Sequence, residues 1–327
     1  MKTFVTGATG FIGTSIVREL LKDGREVRVL VRSTSNLSNL KGLDVEMWKG
    51  ELLDIPGLRR GLKGCDVLYH AAADYRLWTR NPDDMYRTNV GGTTAVLEAA
   101  MESDLSRVVY TSSVGTLGNP GNGVPGTEDT EVSLADMVGP YKKSKFLAER
   151  EAERFVARGL PLVIVNPSTP VGPWDIKPTP TGKIIVDFLK RRMPAYLDTG
   201  LNLIAVEECA RGHILAEQKG CIGRKYILGN VNLSLCQIFG MLQEITGIPA
   251  PRVRLPYAPV LVAAWLNEGL SRITGREPLI PLAGVRMAAH HMYFDSGRAV
   301  RELGLPQTPV AKALERAVEW FRTNGYI

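Results

Sequence analysis

The sequence contains few of the residues that build metal centres and disulfide frameworks. Among 327 residues there are four cysteines and four histidines, and no two cysteines have CxxC spacing. Structural zinc sites and disulfide-rich folds need such residues in closely spaced sets. The adjacent His290 and His291 alone supply too few ligands for a metal ion. We therefore expect neither a metal site nor a disulfide framework.

Long apolar runs are also lacking. A membrane-spanning helix needs about 20 consecutive apolar residues, whereas the longest candidate, residues 258–266, is much shorter and contains Pro259. A strand pattern begins at Lys2, so we expect no signal peptide. These features predict a cytoplasmic protein without a transmembrane segment, for which any membrane contact would be peripheral.

Positive charge is in modest excess and is not clustered. The 40 Lys and Arg residues against 34 Asp and Glu residues give a net charge of +6, and the longest basic cluster is residues 190–192. Nucleic-acid-binding surfaces combine larger basic clusters with aromatic residues, which are only 7% of this chain. We expect no nucleic-acid partner, and the charge suits anionic small molecules, acidic lipid headgroups or simple solubility.

The first half of the chain does have a regular alternation of strand and helix patterns. Strands that are apolar on both faces and are separated by helices indicate a parallel sheet covered on both sides. The sequence therefore predicts a doubly wound α/β fold of the Rossmann type. The predicted strands are 3–5, 26–31, 66–69, 107–110 and 162–165, and the predicted helices are 11–22, 55–62, 83–103 and 141–158.

The rhythm changes after about residue 166, where prolines crowd one stretch and the rest of the chain becomes mostly helical. A strand-like run at 225–228 belongs to the first pattern. We predict that residues 1–170, with about 201–229, form the Rossmann domain. Residues of about 171–200 and 230–327 would form a smaller, mostly helical substrate-binding lobe.

A glycine-rich loop joins the first strand to the first helix. Gly7, Gly10 and Gly13 have G-x-x-G-x-x-G spacing. The first glycine allows a tight turn, the second lets a pyrophosphate approach, and the third permits close packing of helix on strand. The helix N-terminus then offers free N–H groups to the phosphates. The residues expected to contact a dinucleotide here are Gly7, Thr9, Gly10, Phe11, Ile12 and Gly13.

The residue at the end of the second strand favours one form of the cofactor. An acidic residue there would bind the ribose hydroxyls of NAD, but the chain has Arg32, 19 residues after Gly13. A guanidinium pairs well with a 2′-phosphate. The position predicts NADP(H) rather than NAD(H), the alternative being that Arg32 is an ordinary surface arginine.

A tyrosine and a lysine with helical spacing form the candidate catalytic pair. Tyr141 and Lys145 are four residues apart, so they lie on one face of a helix. A nearby ammonium favours the phenolate, which would lower the pKa of Tyr141 toward the working range. Ser113 follows a buried strand at the edge where such sheets bind their ligands, and it could bind the same substrate oxygen.

The chain resembles the extended short-chain dehydrogenase/reductase family over nearly its whole length. It is similar within that family to the hopanoid-associated sugar epimerases and the dihydroflavonol 4-reductase-like enzymes, through AADYRLW at 72–78 and the stretches 165–189 and 193–203. The family motifs are TGATGFIG at 6–13, GELLD at 50–54, HAAA at 70–73, NVGGT at 89–93, TSS at 111–113 and YKKSK at 141–145.

The resemblance implies roles for the matched positions. Ser113 would be the catalytic serine, Tyr141 the acid/base, and Lys145 the lysine that binds the cofactor ribose and lowers the pKa of the tyrosine. A homodimer is also expected. The further residues implied in cofactor binding are Glu51, Leu52, Ala71, Ala72, Ala73, Asn89 and Pro167.

The substrate residues are less sharply indicated. Asp74, Arg76 and Trp78 follow the strand that ends at His70, where side chains face ligands in this fold, although a plain surface loop has the same pattern. Lys177 lies in the proline-rich stretch, which is either a substrate loop or a rigid connector. Asn202 is added from the stretch 193–203.

One later helix carries apolar residues at helical spacing. Leu261, Trp265, Leu266 and Leu270 recur along residues 257–270. Because the intervening Asn and Glu do not form a Lys/Arg stripe, we favour packing in the core or in a dimer over docking on a membrane.

These features lead to one main hypothesis and two alternatives. The main one is an NADP(H)-dependent oxidoreductase acting on a carbonyl or secondary alcohol of a sugar, a sugar-bearing lipid or a hopanoid-like lipid. Val114 and Gly115 stand where sugar-nucleotide dehydratases have an Asp-Glu pair, which disfavours elimination. The alternatives are an NAD-retaining sugar epimerase, which Arg32 disfavours, and a non-catalytic NADP-sensing binding protein.

Overall fold

A computed structural model describes residues 1–121 and 123–327. Its strands and α-helices are numbered in chain order. The strands are β1 (Lys2–Thr6), β2 (Glu26–Val31), β3 (Glu46–Lys49), β4 (Val67–His70), β5 (Arg107–Thr111), β6 (Leu162–Pro167), β7 (Thr169–Val171), β8 (Ala195–Leu197), β9 (Gly200–Ala205), β10 (Lys225–Leu228), β11 (Val231–Ser234) and β12 (Val253–Leu255). The α-helices are α1 (Phe11–Lys22), α2 (Ile55–Leu62), α3 (Pro82–Tyr86), α4 (Gly92–Met101), α5 (Gly139–Ala157), α6 (Pro180–Leu189), α7 (Val206–Lys219), α8 (Leu235–Thr246), α9 (Tyr257–Thr274), α10 (Leu282–Met287) and α11 (Val310–Thr323).

A seven-stranded parallel sheet with the order β10-β6-β5-β4-β1-β2-β3 forms the main layer. Successive residues of its strands enter different cores: Val5 and Tyr69 pack on one face of the sheet, and Phe4 and Leu68 pack on the other. This alternation requires apolar residues on both faces, which is why the strands read as continuous apolar runs. The predicted doubly wound α/β fold is confirmed.

The carboxyl ends of the strands meet at one edge of this sheet. The chain order reverses between β1 and β4, which pair in register with Thr6 opposite His70. On the other side, β5 pairs with β6, and Thr111 lies opposite Val165. Open α/β sheets bind their ligands outside the carboxyl ends at such a reversal. The loops after β1, β2, β4, β5 and β6 therefore surround one crevice.

In the first half of the chain, two elements differ from the sequence prediction. Strand β3 was not predicted, because this edge strand is largely exposed and its charged residues hide the apolar pattern. The helix predicted over 83–103 is interrupted by a π-helical turn at Arg87–Gly91, between α3 and α4. Such turns insert one extra residue per turn and are frequent at functional sites.

Two smaller sheets lie beside the main one. The first has the order β11-β9-β7, and the second pairs β12 with β8. Strand β9 lies between two cores, since Ile204 packs with the main sheet while Leu203 packs with the lobe. The stretch assigned above to the Rossmann domain therefore begins with a strand of the lobe's sheet, whereas α7 packs on α1 and β10 joins the main sheet.

The helix α9 buries only part of the apolar residues for which we expected packing in the core or in a dimer. Trp265, Leu266 and Leu270 are 63%, 55% and 61% exposed. The opposite side of the helix is covered, since Leu261 packs with Leu282 and Val285 of α10. The three exposed residues are therefore not in the core, and their packing in a dimer stays a prediction.

Candidate functional site

The glycine loop is shaped by close backbone approaches. Gly7 has a φ of 74°, and a Cβ on it would lie 2.6 Å from the backbone of Ala71. A Cβ on Gly13 would lie 2.1 Å from the carbonyl oxygen of Gly7. Helix α1 begins after Gly10 without a side-chain cap. Its first N–H groups therefore face a bare glycine turn, an arrangement that fits a pyrophosphate.

The end of β2 presents a cation beside this loop. Arg32 is exposed, and its backbone N–H donates to the Ser35 Oγ at 3.0 Å. The Gly50 N–H donates to the Val31 carbonyl, which brings the segment of Glu51 next to Arg32. Glu51 is exposed and Leu52 is half-buried. The guanidinium is thus available to an anionic group, as a 2′-phosphate would require.

The segment after β4 closes the other side of the crevice. The N–H groups of Ala71 and Ala72 donate to the Thr6 carbonyl and Oγ1, at 3.2 and 3.4 Å. These contacts to the last residue of β1 hold the post-β4 segment beside the start of the glycine loop. Ala71, Ala72 and Ala73 are all half-buried. Small side chains at these positions leave room for a ligand in the crevice.

Asn89, in the π-helical turn, ties this segment to α5. Its Oδ1 accepts from the Asp74 N–H at 2.7 Å, and its Nδ2 donates to the Asp74 carbonyl and the Ser144 Oγ, both at 2.9 Å. The extra residue of the turn places Asn89 so that it reaches both elements. Asn89 therefore positions the helix that carries Tyr141 relative to the loop after β4.

Ser113 and Tyr141 are brought together at the carboxyl end of β5. The Ser113 Oγ accepts from the Gly115 N–H at 3.0 Å, which leaves its own proton free to donate. Burial raises the pKa of Tyr141 above its ordinary value, the Ser113 hydroxyl opposes this rise, and the Asp74 carboxylate adds to it. The phenol is therefore protonated at neutral pH.

Lys145 is buried beneath this pair and does not act as we expected on the tyrosine. Its Nζ donates to the Thr111 carbonyl at 2.8 Å and to the Tyr110 hydroxyl at 3.2 Å. Burial lowers the pKa of Lys145 to about 8, although Glu149 opposes this. The prediction of a lowered Tyr141 pKa is wrong for this structure, because the amine is directed at β5 and burial dominates at the phenol.

Glu149, which the sequence analysis did not identify, is a fully buried carboxylate behind the site. It accepts from the hydroxyls of Ser112 and Thr116 at 2.5 and 2.7 Å, from Asn166 Nδ2 at 2.8 Å and from Lys225 Nζ at 2.7 Å. Burial raises its pKa, but Lys225 and the hydroxyls outweigh burial and hold the pKa below its ordinary value. The signal was its position, four residues after Lys145 on the buried side of α5.

The Glu149 network holds the backbone of Ser113. Asn166 Nδ2 donates to the Ser113 carbonyl at 3.0 Å. The single proton of the Thr116 hydroxyl is shared between that carbonyl and the Glu149 carboxylate, each 2.7 Å from Oγ1. These donors are themselves fixed by the Glu149 carboxylate. The orientation of the candidate catalytic serine thus depends on a buried ion pair with Lys225.

Two oxygen atoms beside Pro167 have no partner within the described residues. They are Asn166 Oδ1 and Ser168 Oγ, both buried. The Asn166 amide cannot be turned around, because its Nδ2 contacts the Ser113 carbonyl and the Glu149 carboxylate, which only accept. Buried orphan acceptors on both sides of Pro167 fit a ligand that carries an amide donor, as a nicotinamide does.

His70, at the end of β4, is a buried structural residue. Its ring nitrogens contact the hydroxyls of Thr6 and Thr93 at 2.7 and 3.1 Å. Burial and the charge of Lys145 lower its pKa to about 3. A neutral imidazole with both nitrogens engaged is not placed to exchange protons with a ligand.

The expected substrate residues fall into two groups. Asp74 and Arg76 form an ion pair in the loop after β4, and Trp78 of the same loop is half-buried. The Tyr75 hydroxyl donates to the Lys177 carbonyl at 3.2 Å, so the proline-rich stretch borders this loop. Both segments therefore line the same end of the crevice as Tyr141, whose pKa responds to Asp74.

Asn202 does not belong with them. Its side chain is 1% exposed, its Nδ2 donates to Asn232 Oδ1 and the Phe294 carbonyl, and its Oδ1 accepts from the Asn230 N–H. All of these partners lie within the lobe, where the amide joins β9 to β11. The expectation that Asn202 contacts substrate is wrong, because its hydrogen-bonding groups are already occupied.

Neither a metal site nor a membrane span is found in the described ranges, 1–121 and 123–327. Three or more His, Cys, Asp or Glu side chains are nowhere grouped there so that they could hold a metal ion. The helices of these ranges include none that is long and apolar enough to cross a membrane.

Comparison with known proteins identifies the family. Residues 3–229 match the sequence profile of the NAD dependent epimerase/dehydratase family, a range that covers the main sheet and its crevice. The chain belongs to this family. Its members are nicotinamide-dependent reductases, epimerases and dehydratases, so the chain is an enzyme of the extended short-chain dehydrogenase/reductase type. The resemblance found in the sequence is confirmed.

Similar proteins span the whole chain. A Synechocystis protein with the provisional name dihydroflavonol 4-reductase is 47% identical over 99% of this chain and 95% of its own length. Sterol demethylase protein B of Methylococcus capsulatus is 35% identical over 100% of both chains. The crystal structure of a nucleoside-diphosphate-sugar epimerase from Pseudomonas aeruginosa is 28% identical, with a TM-score of 0.84 over 100% of this chain and 99% of that one.

Proposed function

We propose that this family member is an NADPH-dependent reductase that converts a ketone on a ring system to a secondary alcohol. The observation that carries the proposal is the pairing of the Tyr141 phenol with the Ser113 hydroxyl at the carboxyl end of β5, where burial raises the pKa of the phenol. A reductase needs a proton donor for the carbonyl oxygen, and a buried phenol with a raised pKa is in the donor form at neutral pH.

The side chains of the crevice supply binding, orientation and a proton. The N-terminus of α1 and Arg32 would hold the phosphates of a dinucleotide, which when bound supplies the hydride. The Ser113 hydroxyl would donate a hydrogen bond to the substrate carbonyl oxygen and so position it. The Tyr141 phenol would transfer its proton to the same oxygen as negative charge develops there.

Lys145 would serve the dinucleotide rather than the phenol, as the lysine that binds the cofactor ribose. Its ammonium is buried and donates to the Thr111 carbonyl and the Tyr110 hydroxyl. Its pKa of about 8 keeps most of the amine charged at neutral pH.

The choice of NADPH rests on Arg32. The change Arg32→Asp removes the cation and adds a carboxylate that repels a 2′-phosphate. We expect NADPH binding to weaken roughly 10- to 100-fold, the range of a hydrogen bond to a charged group, while NADH binding stays the same or improves. Fluorescence titration of both cofactors measures this, with the exposed Arg60→Asp of α2 as a matched surface control. Equal NADPH affinity in wild type and Arg32→Asp would contradict the assignment.

The substrate class is proposed from two observations. The substrate end of the crevice combines the Asp74–Arg76 pair with the half-buried Trp78, so it offers both polar and apolar contacts. A relative that matches the full length is named for its part in sterol demethylation. We therefore place polycyclic lipids, sterol-like or hopanoid-like, ahead of free sugars, with sugar-bearing lipids between them.

An epimerase is the second candidate, because a structure with a TM-score of 0.84 is named as a nucleoside-diphosphate-sugar epimerase. One assay separates the two. Purified protein is incubated with NADPH and a panel of steroid ketones, polycyclic ketones, aldehydes and sugar nucleotides, and both NADPH oxidation and product mass are recorded. Stoichiometric NADPH loss with a mass gain of two hydrogens supports the reductase. Isomerisation of a sugar nucleotide without NADPH loss would replace it with the epimerase.

A further inference from the structure

Helix α9 and the loop that follows it carry an apolar surface that the lobe leaves uncovered. We define the α9 face by its exposed large apolar residues, which recur every three or four positions along one side of the helix. Ile273 and Leu279 are 84% and 86% exposed. Such a concentration of exposed side chains is rare on a monomer and marks an interaction surface. The members of the α9 face are Val262, Trp265, Leu266, Leu270, Ile273 and Leu279.

The segment that carries this face has a surplus of positive charge. Residues 251–290 contain five arginines and two glutamates. Glu268 is engaged by Arg272 at 3.2 Å, and Arg272 itself remains largely exposed. Arg276 and Arg286 are exposed as well. Apolar side chains flanked by a cationic surplus suit the surface of an anionic bilayer, where the side chains enter the interface and the arginines meet the headgroups.

The α9 face is next to the mouth of the crevice. A Cβ on Gly275 would lie 3.3 Å from the Arg80 guanidinium, and one on Gly284 would lie 3.6 Å from the Leu77 side chain. A Cβ on Gly139, two residues before Tyr141, would lie 3.1 Å from the Ala283 Cβ. The helix pair α9–α10 therefore packs on both the loop after β4 and the start of α5. A surface on which α9 rests would also lie beside the entrance to the site.

We propose that the α9 face docks onto an anionic lipid bilayer. A second copy of the chain is the other possible occupant, and the experiments below separate it from a bilayer. The docking does not depend on the proposed reaction, although it would give a lipid substrate a direct path to the crevice. It also differs from our sequence-based preference for packing in the core or in a dimer, which considered the helix alone and not the arginines that follow it.

Trp265 provides a direct probe of docking. Full-length protein is mixed with phosphatidylcholine vesicles with or without phosphatidylglycerol, and flotation and tryptophan emission are measured. We expect flotation with the anionic vesicles and a blue shift that is lost in Trp265→Phe. Binding to phosphatidylcholine alone, or at high salt, should be at least about tenfold weaker, since the headgroup attraction is screened or absent.

Surface variants make the test specific. The double change Leu266→Gln with Leu270→Gln should weaken binding at least about tenfold, whereas Ile222→Gln should not. Ile222 is 54% exposed and lies just before β10. It is therefore at the amino ends of the parallel strands, whereas the crevice is at their carboxyl ends. No flotation with anionic vesicles, equal flotation with both vesicle types, or an equal effect of Ile222→Gln would overturn the proposal. Self-association with a Trp265 blue shift in the absence of lipid would assign the face to a second copy. None of these measurements needs a substrate, so their failure leaves the reductase proposal untouched.

Discussion

At the scale of single residues, the site depends on charges held in places where water cannot reach them. Lys145 is 3% exposed and Glu149 is fully buried, and each has polar partners: Lys145 donates to the Thr111 carbonyl, and Glu149 accepts from the Lys225 ammonium. Isolated buried charges are strongly unfavourable, and they persist where hydrogen bonds and an opposite charge compensate them. The buried Lys145 ammonium therefore reduces the stability of the folded protein.

This loss can be measured through its pH dependence. The pKa of Lys145 is lowered to about 8 in the folded protein, whereas the unfolded chain has the ordinary value of about 10.5. Between these values the unfolded state binds more protons, so the free energy of unfolding rises with pH because of this residue. Below about pH 8 the lysine is charged in both states, and the full unfavourable contribution is present.

We expect the variant Lys145→Met to lack this dependence. In urea unfolding, the free energy of unfolding of the wild type should rise by about 1–3 kcal/mol relative to the variant between about pH 7 and about pH 10. Other titrating groups act on both proteins and cancel in the difference. A difference that does not change with pH would show that Lys145 is not destabilised by burial.

Glu149 gives a second prediction at this scale. Glu149→Gln replaces a carboxylate that faces five donors with an amide whose N–H₂ group must face a donor, and it leaves Lys225 with less negative charge nearby. Breaking a buried ion pair destabilises proteins by about 3–5 kcal/mol. Because the Lys225 side chain is partly exposed to water, we expect a loss of about 2–4 kcal/mol in the free energy of unfolding here.

The matched control is Glu153→Gln. Glu153 contacts the same Lys225 at 2.9 Å, but it is half-exposed. Pairs of this kind contribute about 0–1 kcal/mol. Chemical denaturation of both variants makes the comparison, and equal losses of stability would contradict the assignment of Glu149 as the centre of the network.

At the scale of secondary-structure elements, the glycine pattern could be interpreted from sequence because each glycine has a local reason. Gly7 needs its positive φ, and Gly13 has no room for a Cβ. The edge strand β3 and the π-helical turn could not be predicted in this way. Both depend on which neighbours the fold places beside them, and propensity says little about such context.

Two glycine-to-alanine changes test this reasoning. Gly13→Ala would place a Cβ 2.1 Å from the Gly7 carbonyl oxygen, so α1 must shift away from the loop. We expect a loss of at least about 2 kcal/mol in the free energy of unfolding together with loss of dinucleotide binding. Gly240→Ala lies in α8 with nothing within 4 Å of the new Cβ, and it should stabilise the protein by about 0.5–1 kcal/mol. Thermal unfolding separates the two, and a stable, cofactor-binding Gly13→Ala would show that the loop is looser than described.

At the scale of the whole molecule, the main sheet could be predicted in most of its length and the lobe could not. The parallel sheet repeats one unit, and its apolar runs are visible without tertiary information. The lobe is built from short strands in two small sheets and from helices whose covered side is decided by distant segments. Asn202 illustrates this, because its partners Asn232 and Phe294 are far away in the sequence.

The candidate site was predicted in the same uneven way. Ser113, Tyr141 and Lys145 carry a local spacing signal, and the fold brings Ser113 and Tyr141 together. It could not be foreseen that the pKa of Tyr141 is raised despite Lys145, because this depends on the partners that the amine contacts on β5. Glu149 was missed for a related reason, since its role appears only once β6 and β10 are placed beside α5.

The central claim is that the Tyr141 phenol donates the proton in a carbonyl reduction, and the variant Tyr141→Phe tests it most directly. The change removes one oxygen and keeps the ring, so the glycine loop and the Glu149 network should be preserved. With a substrate found in the NADPH panel, we expect turnover to fall about 10²- to 10⁴-fold, while NADPH affinity stays near that of the wild type. A Tyr141→Phe variant that reduces the substrate at the wild-type rate would contradict the account.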